Sequence, residues 1–191
     1  MNNNTIDILV AVDVESILSD MSDANKTLSQ DRNNPTQVNG EYFYYITTQH
    51  QIYSPSENTS DKLTLTGRIG DIVRWRTSSL SAQFDHQTFL YHIETKGPST
   101  LITAPLLLPE TSMVMVPNIE TSQAIINTPY NPIPESDKNY YQQSTLTGAG
   151  NVEYTWYIAI YNRAKTKDDP ESGLVGYCYY TTDKAVINII N

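Results

Sequence analysis

Between residues 152 and 161 the side chains alternate between two faces without interruption. One face carries Val152, Tyr154, Trp156, Ile158 and Ile160, and the other carries Glu153, Thr155, Tyr157, Ala159 and Tyr161. A period of two is typical of a β-strand, and so apolar a face has to cover a core. We therefore predict a strand here, preceded by a turn at Gly148-Ala149-Gly150. A charged hairpin loop over residues 163–173 leads to a pairing strand at 174–181.

A second pair of strands is predicted upstream, over residues 69–77 and 84–93. In the first strand Trp75 shares a face with Val73, which predicts that the indole fills the core. The alternation in the second strand assigns one face to Phe89, Tyr91 and Ile93, and the other to His86, Thr88, Leu90 and His92. The short polar connection between the two strands predicts that they pair antiparallel in one sheet.

The N-terminal part of the chain predicts a strand followed by the one clear helix. Residues 6–12 are rich in β-branched side chains, which favours a central strand. Asp13 can cap a helix over residues 14–21, because its carboxylate can accept from the free amides of the first turn. Residues 22–40 are polar and contain Asn-Pro and Asn-Gly steps, so we predict a long surface loop.

The remaining segments complete an all-β fold. Further strands are predicted at 42–47, 51–53, 63–66, 113–116 and 185–190. Pro105 and Pro109 interrupt the apolar residues 101–109, which favours an edge strand or an extended crossing. The prolines between 117 and 137 predict a covering loop. Together these elements predict one domain over residues 1–191, a β-sandwich of jelly-roll type with one short helix and long loops.

Charge and cysteine content restrict the partners and the compartment. The chain has 12 basic and 21 acidic residues, a net charge of −9, which disfavours nucleic acid and anionic lipid as partners. The first residues carry no basic side chain and no long apolar run follows, so we expect neither a signal peptide nor membrane insertion. Cys178 is the one cysteine, which suits a reducing compartment and predicts cytoplasmic accumulation.

Several short motifs resemble one bacterial family. They are Ile6-Asp7-Ile8-Leu9-Val10-Ala11-Val12-Asp13, Asn34-Pro35-Thr36, Gly70-Asp71 before Trp75-Arg76, and Gly150-Asn151-Val152-Glu153-Tyr154. In their order and spacing they resemble the bacterial inclusion-body proteins of the PixA/AidA type, over nearly the whole chain. The resemblance implies a soluble β-sandwich made in quantity inside the cell, sometimes stored as inclusions and linked to host association. Sugar binding is the molecular activity that it implies.

Catalytic and metal-binding constellations are not evident in the sequence. His86 and His92 are six residues apart, and no Cys or Glu stands at metal-ligand spacing beside them. Cys178 lies in a predicted strand, which favours a structural role. Calcium could be held by carboxylates near Asp13 and Glu15 or near Asp168 and Asp169, but the spacing matches no calcium loop. We predict a protein that is not an enzyme and needs no cofactor.

Carbohydrate binding requires fewer precisely placed groups than catalysis does. It needs aromatic faces for the C–H surface of a sugar, and polar side chains for its hydroxyls. The candidates are Asn33, Asn34, Thr36, Arg74, Arg76, Tyr140 and Tyr141. Each of them taken singly is better explained by a surface or packing role. A lectin that binds glycans is one hypothesis, and a self-assembling storage or inclusion-body protein without a small-molecule ligand is the alternative.

The edges of a sandwich predict self-association. Few of the predicted edge strands are protected by lysine, and exposed edges can pair with another copy. We therefore expect a homodimer in which an edge, or the apolar run Leu106-Leu107-Leu108, is buried against its copy. The other interpretation is that these leucines pack into the core of their own chain.

Overall fold

The computed structural model describes residues 4–48, 52–53, 63–81, 85–117, 132–166, 173–180 and 185–191. The described elements are β1 (Thr5–Val12), α1 (Val14–Asp23), β2 (Thr36–Gln37), a 3-10 turn (Gly40–Tyr42), β3 (Phe43–Thr47), β4 (Ile52–Tyr53), β5 (Leu63–Arg68), β6 (Ile72–Ser79), β7 (His86–Lys96), β8 (Leu106–Pro117), β9 (Pro132–Thr145), β10 (Gly150–Asn162), α2 (Arg163–Thr166), β11 (Leu174–Tyr180) and β12 (Ala185–Ile190). Most of the chain is therefore in strands, as predicted.

The described strands form two mixed sheets. The first sheet has the order β3-β1-β6-β9-β8. The second has the order β2-β11-β10-β12-β5-β4, and β7 also pairs with β10. The all-β sandwich prediction is confirmed. The pairs β1–β6, β5–β12 and β2–β11 are parallel, which departs from the purely antiparallel arrangement of a jelly roll.

Four aromatic side chains connect the two sheets through the core. Trp75 and Tyr45 come from the first sheet, and Tyr154 and Trp156 come from the second; all four are fully buried. Trp75 packs edge-on against Tyr154 with 5.8 Å between ring centroids, and Tyr45 packs edge-on against Trp156 at 5.9 Å. Edge-to-face contacts of this kind stabilise a core beyond the burial of area alone. Trp75 fills the core as predicted.

The N-terminal strand and helix form as their sequence predicts. β1 lies between β3 and β6, and its Ile6, Ile8 and Val10 are buried in the core. The Asp13 carboxylate accepts from the backbone N–H of Ser16 at 3.1 Å, which satisfies one free donor of the first turn of α1. The helix presses its apolar side, with Ile17 fully buried, onto the sandwich.

The predicted pairing of residues 69–77 with 84–93 is wrong. β6 lies in the first sheet, parallel to β1, and β7 lies in the second sheet, antiparallel to β10. The chain changes sheet between them, and the Thr77 and Thr88 hydroxyls hydrogen-bond across the change. Each strand buries one face in the core between the sheets. The alternation assigned the buried face correctly in β6, which buries Val73 and Trp75, but not in β7, which buries Thr88, Leu90 and Ile93.

A long two-stranded arm is formed by β8 and β9. It includes residues 117 and 132–137 of the predicted covering loop, and residues 118–131 of that loop lie outside the described residues. β8 pairs with β9 from Leu106 to Pro117, whereas β9 pairs with β6 over residues 142–145. Residues 132–140 are all exposed, so this part of the arm extends past the sandwich. The edge-strand prediction for residues 101–109 holds from Leu106, because β8 is the last strand of its sheet.

Candidate functional site

A β-bulge in β7 brings two aromatic rings to the outer face of the second sheet. Tyr157 pairs with His92 and Ile158 pairs with Leu90, so Tyr91 is an extra residue without an opposite partner in β10. Because one extra residue reverses the alternation, Ile93 returns to the core while His92 points outward. The predictions that Tyr91 and Ile93 share a face, and that His86 and His92 share the other, are wrong for this reason.

The bulge forms one wall of a cleft of about 460 Å³. We call this site the tyrosine cleft; it is lined by Arg32, Asn33, Pro35, Tyr91, His92, Glu94 and Tyr157. The Tyr157 ring is its centre: His92 packs on it at 5.2 Å between centroids, and Tyr91 packs edge-on at 6.2 Å. The cleft therefore combines aromatic faces with a guanidinium, an amide and a carboxylate.

Further tyrosines support the floor of the tyrosine cleft from β11. Tyr179 stacks on Tyr157 at 5.4 Å with 12° between the rings, and Tyr177 packs edge-on against Tyr91 at 5.3 Å. These contacts hold both cleft tyrosines in place, and rigid aromatic rings lose little entropy when a ligand binds.

The loop that closes the other side of the cleft is fastened to β11. Ser29 bridges to Tyr177, whose backbone N–H donates to the Ser29 carbonyl at 2.8 Å. Residues 36–37 form β2, which runs parallel to β11. Between these anchors the Asp31 carboxylate accepts from the backbone N–H of Asn33 at 2.9 Å, and the Tyr91 hydroxyl donates to the Arg32 backbone carbonyl at 3.1 Å. Arg32 and Asn33 are thus held over the aromatic floor.

Both cleft phenols stay protonated at neutral pH. Burial raises the pKa of Tyr91 to about 12, and burial together with the hydrogen bond to Glu94 raises the pKa of Tyr157 to about 12. The Tyr157 hydroxyl donates to Glu94 Oε2 at 2.8 Å. This bond orients the carboxylate at the rim of the cleft, where it can accept hydrogen bonds from a polar ligand.

The seven residues predicted for sugar binding lie on two separate faces of the sandwich. Asn33 lines the tyrosine cleft, exposed Asn34 follows it, and the Thr36 hydroxyl accepts from the Ser29 amide at 2.8 Å. The other four, Arg74, Arg76, Tyr140 and Tyr141, lie on the first sheet and its arm. The structure therefore does not bring the seven together.

Arg74 and Arg76 belong to the outer face of the first sheet. The Arg74 guanidinium lies 4.9 Å from the centre of the Tyr141 ring, and Arg76 forms an exposed ion pair with Asp7 at 3.1 Å. Tyr140 points to the other side of β9 and packs edge-on against Phe89 at 6.4 Å. These contacts give each of the four residues a packing or pairing role on the surface.

Sequence reasoning did not single out Arg32, Tyr91, His92, Glu94 and Tyr157 as site residues. The outward position of Tyr157 followed from the alternation of residues 152–161, and the spacing of Tyr177 and Tyr179 would have indicated two more rings on that face. The bulge at Tyr91 leaves no such signal, because it shows only in the register of the paired strand.

Catalytic and metal chemistry finds little support in the described residues. Cys178 is fully buried in β11, and burial raises the pKa of its thiol to about 12, so it is not a thiolate at neutral pH. His86 Nδ1 lies 2.6 Å from Glu15 Oε1, and Asp13 caps α1. No group of three or more His, Cys, Asp or Glu able to hold a metal ion occurs among the described residues, and Asp168 and Asp169 lie outside them.

Comparison with known proteins identifies the family. The family model described as PixA, inclusion body protein, matches residues 4–186. The chain belongs to the PixA inclusion body protein family. This confirms the resemblance seen in the sequence motifs. No curated protein matches the sequence.

A solved PixA-family structure shares the fold. It is the crystal structure of an inclusion body protein (PixA) from Burkholderia cenocepacia J2315, which matches with a TM-score of 0.72 and 17% identity. The match covers 100% of this chain and 98% of that chain. Among the described residues, no helix is both long and apolar enough to span a bilayer.

Proposed function

We propose that this PixA-family protein is a self-associating protein that accumulates densely as inclusions in the cell, and that it acts by packing and binding and not by catalysis. The observation that carries the proposal is the β8–β9 arm, which displays large apolar side chains to solvent. Met113 and Met115 are 65% and 61% exposed on one side of the projecting part of β8, and Leu106, at the sandwich end of the strand and on its other side, is 62% exposed. Large apolar side chains grouped on one projecting element mark an interaction surface.

The charge of the chain makes such association sensitive to pH. The net charge is −9 at pH 7, and the sequence pI is about 4.6. Repulsion between copies is therefore strong at neutral pH and weakens as the carboxylates protonate on acidification. Dense storage is favoured where the charge is low or screened.

We expect reversible, sugar-independent assembly as the pH falls from 7 toward the pI. Light scattering and sedimentation equilibrium, from micromolar to millimolar protein, should show a rising average mass that returns to its starting value on neutralisation. Added salt should promote assembly at pH 7, because it screens the repulsion. A single species at the chain mass of 21.5 kDa under every one of these conditions would overturn the proposal.

A second proposal, glycan binding, rests on the tyrosine cleft. Tyr157 and Tyr91 offer aromatic faces to the C–H surface of a sugar, while Glu94, Arg32 and Asn33 offer groups that can hydrogen-bond to its hydroxyls. Small polar ligands bury little area and must displace water, so we expect weak binding per site. Several copies in one assembly would raise the avidity for a multivalent glycan surface.

Tyr157→Ala is expected to weaken glycan binding at least about tenfold, because it removes the central ring of the cleft. The measurement is a glycan array followed by NMR titration with the methyl glycosides of common neutral sugars. Tyr140→Ala is the matched control, since it removes an exposed tyrosine outside the cleft and should leave binding unchanged. Equal losses in both variants, or an array without any bound glycan, would contradict glycan binding in the cleft and leave the packing proposal in place.

A further inference from the structure

The arm has two faces of different character, and one of them continues the core-facing side of the first sheet. Leu107, Gln142 and Trp75 share that side by register, and Gln142 and Trp75 are buried in the sandwich. Past them, the same side carries the residues that we call the apolar arm face: Pro109, Thr111, Met113, Met115, Pro134, Ser136, Lys138 and Tyr140. All eight are exposed. This face continues the core side of the sheet beyond the sandwich, and at its inner end Tyr140 packs edge-on against Phe89 of β7.

The apolar arm face carries no carboxylate, although the chain has 21 of them. Lys138 is its one charged residue. The opposite side of the same two strands carries Glu110, Glu135 and Asp137 beside the apolar Val114, Val116 and Ile133, so the two sides differ in their carboxylates. If two copies met through their acidic sides, six carboxylates would come together. If they met through their apolar arm faces, no carboxylates would come together. Charge therefore favours contact between like apolar arm faces.

The prolines of the arm argue against pairing through its edges. Pro109 is opposite Tyr140, and Pro134 is opposite Met115. Proline has no N–H to donate. The β8–β9 ladder therefore keeps all its hydrogen bonds only if both prolines lie in non-hydrogen-bonded pairs. Such pairs recur at every second residue, and Pro109 and Met115 are six residues apart in β8, so both pairs can be of this kind. Both prolines then interrupt the donors of an outer edge, Pro109 on β8 and Pro134 on β9. An added strand would lack a donor at each position.

We propose that the apolar arm face packs against the same face of a second copy, as a sheet-on-sheet contact about a two-fold axis. This inference rests on the self-association proposed above and names its surface and partner. The apolar arm face spans residues 109–115 of β8 and 134–140 of β9. From the rise per residue and the strand spacing, its footprint is on the order of 250 Å² per copy. This area is well below that of a stable dimer, so the pairing is weak and forms at the high protein concentration of an inclusion.

The test is a pair of matched double variants, Met113→Glu/Met115→Glu on the apolar arm face and Ser112→Glu/Val114→Glu on the opposite side of the same strand. Each variant adds two carboxylates to one side of β8 outside the sandwich, and the two variants change neighbouring residues of the same strand. Sedimentation velocity from micromolar to millimolar protein is expected to show dimers for the native chain and for Ser112→Glu/Val114→Glu. The first variant should weaken dimerisation at least about tenfold, because it places unpaired charges in the contact.

The outcomes separate this inference from the function that it rests on. If the native chain assembles and both variants assemble equally well, the apolar arm face is not the contact, while the storage proposal stands. Loss in the Ser112→Glu/Val114→Glu variant alone would assign the contact to the other side of the arm. If the native chain never leaves the monomeric state, both the inference and the storage proposal fail. Circular dichroism of each variant checks that the sandwich remains folded.

Discussion

Replacing Trp75 by alanine is expected to lower the free energy of unfolding by about 3–5 kcal/mol. The side chain is fully buried and packs against Tyr154 of the opposite sheet, so truncation removes both apolar burial and an inter-sheet aromatic contact. Small proteins are stable by only about 5–15 kcal/mol, so this loss is a large share of the total. Urea unfolding at pH 7, followed by circular dichroism, measures the change as a shift in the midpoint.

Trp75→Phe is the matched control for the size of the cavity. It keeps an aromatic ring beside Tyr154 and removes part of the volume, so we expect less than half of the alanine effect. A loss below about 1 kcal/mol for Trp75→Ala would mean that the two sheets are not joined through this side chain.

The sequence predicted correctly those features that depend on a single helix or strand and on which of its faces is buried. Burial of Trp75 and the position of Cys178 inside a strand followed from local alternation and spacing. The cap of Asp13 on α1 followed from the free donors of a first helical turn. None of these predictions required knowledge of which strand lies next to which.

The predictions failed where the structure depends on which distant segment of the chain lies beside a strand. Residues 69–77 and 84–93 each had one apolar face, and a strand that faces another across a core has the same pattern as a strand beside it in a sheet. The bulge at Tyr91 adds one residue relative to β10, which only the register with Tyr157 and Ile158 reveals. The tyrosine cleft was missed for the same reason.

The prolines of the arm gave a misleading local signal. Pro109 and Pro134 predicted interruptions, yet both lie inside strands that pair over twelve positions. Proline is tolerated in a strand when its nitrogen faces an unpaired edge, and an arm that extends past the sandwich has two such edges.

The apolar run Leu106-Leu107-Leu108 was predicted either to form a dimer contact or to pack into the core of its own chain. Leu106 and Leu107 are 62% and 45% exposed, which does not suit a core position.

The largest pH effect is expected at alkaline pH, where we predict unfolding between about pH 9 and pH 12. Burial raises the pKa of Cys178 from about 9 to about 12, and burial also raises the pKa of Tyr154. Above pH 9 the unfolded chain releases these protons more readily than the folded chain does, so stability is full below that pH and falls as the pH rises. Each pKa unit is worth about 1.4 kcal/mol, so the two groups together can remove several kcal/mol.

Tyr154→Phe tests the tyrosine part of this prediction. The Tyr154 hydroxyl is buried and makes no hydrogen bond of normal geometry with any described residue, so its removal should cost little at pH 7. The variant should unfold at a higher pH than the native chain, as followed by circular dichroism, with the Cys178 thiol becoming reactive toward Ellman's reagent in the same transition. Tyr140→Phe removes an exposed phenol and should leave the alkaline midpoint unchanged. If both variants shifted the midpoint equally, the alkaline transition would report surface charge repulsion instead of ionisation in the core.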